Sequence, residues 1–174
     1  MIIKKIFCFI FLAALLFGSG VSQAAEEWGI DHEKKARFEA KVVDVLCELS
    51  GDCPANCGGG ERQLGLLKDD GTLILAVKNV DAFAGAVNDL IGFCQKRIVA
   101  DGLLINNPKA PLFALQFKKL APDGRWSRAG QFGKDWSKAN GGKKGSEWFK
   151  NDSTIKKVIS ENGVYGILGL KAKE

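Results

Sequence analysis

Three cysteines lie within eleven residues of this chain, and their spacing restricts its possible folds more than any other feature of the sequence. They are Cys47, Cys53 and Cys57, and the only other cysteines are Cys8 and Cys94. A loop so rich in cysteine is held either by disulfides or by a metal ion, depending on whether its compartment is oxidising or reducing. The compartment in which the protein folds therefore decides between disulfides and a metal site.

The N-terminus predicts export. Lysines precede an apolar segment, Ile6 to Phe17, and small residues that include Ser22 and Ala24 follow it. This order is typical of a secretory signal peptide, and the apolar segment is shorter than the roughly 20 residues that span a bilayer. We therefore expect residues 1–24 to be removed, which leaves a periplasmic or secreted protein with no membrane span.

Export would leave four cysteines in an oxidising compartment, because Cys8 departs with the leader. The expected outcome is two disulfides, for which three connectivities are possible. We favour Cys53 with Cys57 inside the loop and Cys47 with Cys94 across the fold. The second bridge would destabilise the unfolded chain by roughly 3–4 kcal/mol.

A thiol-based function is the alternative. Cys53 and Cys57 form a Cys-x3-Cys pair, which could carry copper(I) on its thiolates or act as a redox partner. Copper and zinc sites usually recruit histidine, yet the one histidine, His32, lies in a polar segment. The βαβ pattern of thioredoxin-like proteins is absent as well. We therefore expect no metal and no cofactor, with copper as the alternative.

Residues 37–120 predict a mainly β domain with one helix, after a polar lead-in at 25–36. The β-branched residues Val42, Val43 and Val45 favour a first strand over an amphipathic helix. Two apolar runs flank Asp70-Gly71, which indicates a β-hairpin whose turn needs positive φ at the glycine.

The second half of this domain predicts a helix and two strands. Apolar residues recur at helical spacing between residues 80 and 94, and Asp81 is placed to cap the start of the helix. Residues 96–105 and 112–118 have strand-like composition and are separated by a loop with two prolines. This order of elements is that of an OB-fold barrel.

Three segments carry a resemblance to a known group of proteins: Val42–Cys47, Gly65–Leu75 and Lys96–Gly102. They resemble small exported bacterial proteins with OB-like domains, over Phe38 to about Lys118. The resemblance implies a five-stranded barrel with a helix between strands 3 and 4, and it implies no particular function. In these proteins a Gly-Lys turn precedes the fourth strand, whereas this chain has Cys94-Gln95-Lys96 there. This departure makes a disulfide at Cys94 plausible, because it would tie the end of the helix to the barrel.

The expected ligand face of such a barrel does not suit nucleic acid. OB folds bind ligands over strands 2 and 3 and between two loops, here residues 50–62 and 106–111. Binding of single strands needs exposed aromatic and basic side chains on that face. The strands are aliphatic instead, at Leu64, Leu66, Leu73, Ile74, Leu75 and Val77. We expect these residues to pack in the core and nucleic-acid binding to be absent.

Residues 121–174 predict a basic, aromatic extension packed on the barrel. Seven basic residues and two acidic ones lie between Arg125 and Lys150. Aromatic rings among cations can recognise an anionic glycan, a lipid head group or an acidic protein, and they can equally anchor the segment to the barrel. The candidate contacts are Trp126, Arg128, Trp136, Lys143, Lys144 and Trp148.

The end of the extension predicts a short helix with Asp152 or Ser153 at its N-cap and Gly163 beyond its end. Residues 164–170 could then form an edge strand or an apolar tail.

The residue sets of common enzymes are not apparent. There is one histidine, no serine in a nucleophile-elbow setting and no phosphate-binding glycine loop. The paired acids Asp69 and Asp70 occupy a predicted turn, where a structural role explains them. The sequence therefore favours a non-enzymatic, disulfide-stabilised binding or accessory module, whose partner would be an envelope protein or an anionic ligand.

Overall fold

A computed structural model describes residues 25–29, 31–78, 85–108 and 111–170 of the chain. The predicted leader at 1–24 and the predicted cap Asp81 lie outside these residues. The described residues form a mixed five-stranded β-barrel with interspersed helices, which confirms the predicted fold class. Its strands are β1 Glu33–Asp44, β2 Leu64–Leu67, β3 Leu73–Lys78, β4 Arg97–Ile105 and β5 Leu112–Leu120.

The strand order is that of an OB-like barrel. Antiparallel pairing runs in the order β3-β2-β1-β4-β5, and a parallel pairing of β3 with β5 closes the sheet on itself. The long strand β1 serves two neighbours, because residues 33–41 pair with β4 and residues 41–44 pair with β2. Closure leaves few free edges, and a short sixth strand, β6 Ser127–Arg128, extends the sheet from β5.

The boundaries of β1 differ from the prediction at both ends. The strand begins at Glu33, so part of the predicted lead-in belongs to the barrel. It ends at Asp44, and Val45, which had favoured the strand, begins helix α1, Val45–Ser50. The Asp44 side chain accepts hydrogen bonds from the backbone N–H groups of Leu46 (2.9 Å) and Cys47 (3.2 Å). This N-cap ends the strand and starts the helix.

The hairpin between β2 and β3 is confirmed. Gly71 has φ of 80°, as its turn requires. Asp70 accepts hydrogen bonds from the side chain and the backbone N–H of Thr72, and these bonds lower the pKa of its carboxyl to about 2. The neighbouring Asp69 pairs with Arg97 at 2.6 Å, and the hydrogen bond from Arg97 lowers the pKa of Asp69. Both acids therefore hold the turn.

The helix between β3 and β4 is present but shorter in the described residues than residues 80–94. It consists of α2, Val87–Leu90, and one 3₁₀ turn, Ile91–Phe93. Gly85 forms a β-bridge with Val77 just before it, so the backbone there is still extended and helix formation begins later.

The core fills the inside of the barrel. Leu64, Leu66 and Ile74 are buried in it, whereas Leu73, Leu75 and Val77 alternate with the buried positions and are partly buried on the outer face. A second, smaller cluster lies on that outer face, where Ala25 packs with Leu103 and Ala114. The main cluster includes Ala40, Val42, Leu90, Ile98, Ala100, Phe113 and Leu115.

A β-bulge interrupts the pairing of β4 with β5. Asp101 pairs with Phe117 and Gly102 pairs with Leu115, so Gln116 is the extra residue of β5 in this register. An extra residue of this kind reverses the inward and outward alternation of the strand beyond it. The backbones approach closely here, since a Cβ at Gly102 would lie 2.1 Å from the carbonyl oxygen of Ala114.

The extension after β5 begins with a cis Ala121–Pro122 peptide bond and contains three helices. The last helix agrees with the prediction, because Asp152 caps it with hydrogen bonds to the N–H groups of Thr154 and Ile155 and Gly163 follows its end. Residues 164–170 form turns, so the predicted edge-strand option is wrong. The helices are α3 Gln131–Ala139, α4 Trp148–Asn151 and α5 Ser153–Asn162. None of the described helices is long and apolar enough to cross a bilayer.

We predict that Gly102→Ala destabilises the protein by about 2 kcal/mol or more, because the added methyl group must displace backbone at the bulge. Gly92→Ala is the matched control, since a Cβ there meets nothing within 4 Å. Urea unfolding followed by circular dichroism measures both. Equal stabilities of the two variants would contradict the close packing at the bulge.

Candidate binding surface

The cysteine loop is closed by two disulfides, but the favoured connectivity was wrong. Cys47 pairs with Cys53, and Cys57 pairs with Cys94. Helix α1 brings Cys47 within a Cα separation of 4.5 Å from Cys53, a local distance that depends on the helical turn after Asp44. The strand expected through Val45 would have moved Cys47 away from its partner.

The second disulfide depends on a left-handed turn. Asn56 and Cys57 both have φ of 51°, in a region that costs a non-glycine residue about 1–2 kcal/mol. This turn points Cys57 inward, where it is buried and its Cα lies 5.9 Å from that of Cys94. The bridge therefore fastens the loop between β1 and β2 to the turn before β4.

Arg62 adds ionic contacts to the loop that the two disulfides close. Arg62 donates hydrogen bonds to the Asp52 carboxylate at 2.7 Å and to the Asp52 carbonyl at 2.8 Å, and it approaches Asp44 at 3.5 Å. The hydrogen bond to the Asp52 side chain is the main cause that raises the pKa of Arg62. The loop is thus held by covalent and ionic links to its own base.

The two disulfides restrict the thiol chemistry of the loop and indicate the compartment of the protein. Cys53 and Cys57 belong to different bridges, so in this oxidised state neither offers the thiolate that copper(I) or dithiol exchange requires. Within the described residues no group of three or more His, Cys, Asp or Glu side chains could hold a metal ion. Paired cysteines of this kind indicate an oxidising compartment outside the cytoplasm.

A buried ion pair docks the extension on the barrel. Asp89 in α2 accepts a hydrogen bond from Lys118 at 3.0 Å, and their side chains are only 1% and 7% exposed. The same oxygen of Asp89 accepts from the backbone N–H groups of Gly130 (2.9 Å) and Gln131 (3.1 Å), at the start of α3. The other oxygen, Oδ2, is buried without a hydrogen-bond partner in the described part of the chain.

The pair of Asp89 and Lys118 was not predicted from the sequence. Alternation from the buried residues Phe113 and Leu115 would turn Phe117 inward and Lys118 outward, and only the bulge at Gln116 reverses that order. No local sequence pattern predicts such a bulge. The inward position of Lys118 could therefore be found only from the pairing of β4 with β5.

An open groove of about 480 Å³ lies between α2, β6 and α3, beside this ion pair. Its rim carries two cations, Arg128 and Lys134, and one carboxylate, Asp135. The groove therefore offers polar contacts of both signs. Further lining residues are Asn88, Ile91, Phe93, Ser127 and Gln131.

The predicted contacts divide between two places, and Trp126 and Arg128 lie beside the barrel. The Trp126 ring is partly buried beneath two cations, with Arg37 at 4.9 Å and Lys119 at 5.5 Å from the ring centroid. Arg128 is exposed and lies over Phe117 at 5.8 Å. Trp126 therefore has a packing role in the fold, whereas the Arg128 charge faces solvent.

The other two tryptophans pack within the helical part of the extension. Trp148 meets Phe132 of α3 edge to face at 5.0 Å between ring centroids. Trp136 donates its indole N–H to Asp152 at 3.4 Å, and that bond, after the one from the Ile155 backbone, lowers the pKa of Asp152. Both rings are partly buried. A role in ligand contact stays a prediction for all three tryptophans.

Lys143 and Lys144 belong to a larger set of exposed cations. All nine basic residues described in the extension are exposed, and Lys144, Lys150 and Lys157 form surface ion pairs with glutamates. The other six make no ion pair with any described residue. These six are Arg125, Arg128, Lys134, Lys138, Lys143 and Lys156.

Exposed apolar side chains concentrate in the same part of the molecule. Of the twelve large apolar side chains that are exposed among the described residues, eight lie between 149 and 170. Contiguous exposed apolar surface on a monomeric soluble protein often marks a binding site. The eight are Phe149, Val158, Ile159, Val164, Tyr165, Ile167, Leu168 and Leu170.

No family model matches this chain, and no curated protein or solved structure matches it significantly. The resemblance to small exported proteins therefore extends to a five-stranded mixed β-barrel and no further.

We predict different costs for loss of the two disulfides. Cys57→Ser with Cys94→Ser opens a loop of sequence separation 37, and should lower the free energy of unfolding by about 4 kcal/mol. Cys47→Ser with Cys53→Ser opens a separation of only 6, and should cost about 2 kcal/mol. Urea unfolding of the two double variants makes the comparison, and the reverse order would contradict the assigned roles.

We predict that Asp89→Ala lowers stability by about 3 kcal/mol, because it leaves the Lys118 ammonium buried and unpaired. It should also expose the extension to limited proteolysis near Gly130, since α3 loses its anchor. Asp135→Ala is the control, because Asp135 is exposed on the rim of the same groove. Equal unfolding midpoints and cleavage rates for both variants would exclude the docking role of Asp89.

Proposed function

We propose that this chain is a non-enzymatic binding module, periplasmic or secreted, that attaches to an anionic lipid surface of the cell envelope through its C-terminal extension. The observation that carries the proposal is the coincidence of unpaired cations and exposed apolar side chains in residues 125–170. Each property alone is common on protein surfaces, but together they are the composition of an interfacial segment.

Charge separation supports this assignment. Residues 121–174 contain 11 basic and 6 acidic side chains, a formal charge of +5, whereas residues 25–120 contain 12 basic and 14 acidic ones, a charge of −2. Each Lys or Arg near an anionic membrane contributes about 1 kcal/mol of attraction. An anionic surface would therefore attract the extension and orient the molecule with the barrel outward.

Helix α5 has the amphipathic arrangement that an interface needs. Ile155, Val158 and Ile159 share one face, and Lys156 and Lys157 lie outside it. Val158 and Ile159 are exposed and Ile155 is partly buried, so much of this apolar face is open to solvent.

The tail after α5 favours lipid over a folded protein partner. Its turns are closed by local hydrogen bonds, from Gly166 N–H to the Gly163 carbonyl and from Leu170 N–H to the Ile167 carbonyl. Its five large apolar side chains are each more than half exposed. Lipid accepts such a segment without shape complementarity, whereas a protein interface requires it.

We predict that the purified protein cosediments with vesicles containing phosphatidylglycerol and does not cosediment with vesicles of phosphatidylcholine alone. Ile167→Ser with Leu168→Ser should weaken this binding about tenfold or more, because two apolar side chains no longer enter the lipid. Leu49→Ser is the matched control, since Leu49 is 73% exposed and Leu168 is 75% exposed. Circular dichroism should show all variants folded.

The contribution of the lysine charges to vesicle binding is tested separately by replacing Lys138, Lys143 and Lys156 with Gln. Lys34→Gln on β1 is the control. Binding that depends on neither the tail nor these lysines would refute the proposed surface. Absence of binding to phosphatidylglycerol vesicles would refute the lipid assignment, and saturable binding of a purified acidic protein in its place would identify the rival partner class.

A further inference from the structure

The N-terminal end of the described chain occupies a built site on the outer face of the barrel. Ala25 is only 4% exposed and packs with Leu103 and Ala114. Its backbone nitrogen lies 3.3 Å from Oδ1 of Asp101, whose side chain is 5% exposed. A backbone segment at the start of a domain is usually poorly ordered unless specific contacts fix it.

A second side chain fixes the next residue. The Glu26 N–H donates to Oε1 of Gln116 at 2.9 Å, and Nε2 of Gln116 donates to the Glu26 carbonyl at 2.6 Å. Asp101 and Gln116 both belong to the β-bulge between β4 and β5. The bulge thus provides one carboxylate and one amide in the positions that hold the backbone of two consecutive residues.

The chemistry of Asp101 suits a cation better than an amide. Its Oδ2 accepts from Nε of Arg37 at 2.8 Å, whereas its Oδ1 receives the Ala25 nitrogen. A buried carboxylate forms stronger hydrogen bonds with a charged donor than with a neutral one. An ammonium group at the position of the Ala25 nitrogen would donate a hydrogen bond to Oδ1 and would also attract the carboxylate through its positive charge.

We propose that Asp101 is the docking site for the α-ammonium group of Ala25, released when a signal peptidase cleaves the chain after Ala24. Hydrolysis of the Ala24–Ala25 peptide bond consumes one water and leaves a carboxylate on Ala24 and an amine, protonated at neutral pH, on Ala25. Processing therefore converts a neutral contact into an ion pair and completes the folded state. The leader itself is predicted from the sequence alone.

Only a chain that starts at Ala25 would place its ammonium group against Asp101. Cleavage one residue later would remove the Ala25 methyl group from the outer cluster and leave Oδ1 of Asp101 without this donor. Cleavage one residue earlier would move the positive charge beyond the carboxylate. This inference is independent of lipid binding, because it concerns a different part of the molecule.

The first test is the mass and N-terminal sequence of the protein exported from cells that express the full chain. We expect a start at Ala25, and a start at any other residue would overturn the proposal.

The second test compares purified chains that begin at Ala25 or at an added glycine before Ala25, each released from a fusion by a protease that leaves no other residue. The Ala25 form should melt about 3 °C or more higher. In Asp101→Asn the difference between the two forms should disappear. Equal melting temperatures, or a difference that persists in Asp101→Asn, would refute the ion pair.

A chemical measurement covers the case in which Asp101→Asn does not fold. The α-amine of the Ala25 form should react with an amine-specific reagent at least tenfold more slowly in the folded protein than in urea, whereas the glycine-extended form should react at similar rates in both. Equal rates for the folded Ala25 form and the glycine-extended form would exclude docking.

Discussion

The bulge at Gln116 is the constraint on which the other distinctive contacts depend. Because β5 has one extra residue at this point of its pairing with β4, the strand beyond it presents the opposite face. Lys118 therefore turns towards Asp89, and Gln116 itself turns outward to hold Glu26. In a regular strand the Lys118 charge would face solvent, and Gln116 would not be placed to hydrogen-bond with the backbone of Glu26.

Asp89 links three elements, because the oxygen that pairs with Lys118 of β5 also accepts hydrogen bonds from Gly130 and Gln131 at the start of α3. Burial of both charges carries a desolvation cost, which their mutual attraction offsets only if further hydrogen bonds are made. Gly130 and Gln131 supply two of these bonds, so the pair is most favourable when α3 is docked. The extension is accordingly anchored at its start, while the side chains of its tail remain exposed.

Local patterns were enough to predict the hairpin at Gly71, the helix α5 with its cap at Asp152 or Ser153, and the order of elements in the barrel. Each of these depends on residues near one another in sequence or on strand order. The cysteine pairing was not predictable in that way. It required the helical turn that follows Asp44, where a strand was expected through Val45, and the left-handed turn at Cys57, whose bridge to Cys94 spans a sequence separation of 37. Local patterns also do not predict that the apolar side chains of residues 164–170 stay exposed, because this depends on which apolar residues the barrel buries in its core.

The two ends of the chain complement each other in charge and position. The barrel, with a charge of −2 for residues 25–120, would be repelled by an anionic membrane that attracts the extension. Docking of the Ala25 ammonium on Asp101 would add a positive charge, but it would lie beside a buried carboxylate and contribute little to the outer field. A chain processed after Ala24 could therefore tie down its start on the barrel without disturbing the charge separation that orients it. Stability and surface attachment would then be governed by separate residues, the first at the bulge and the second at the tail.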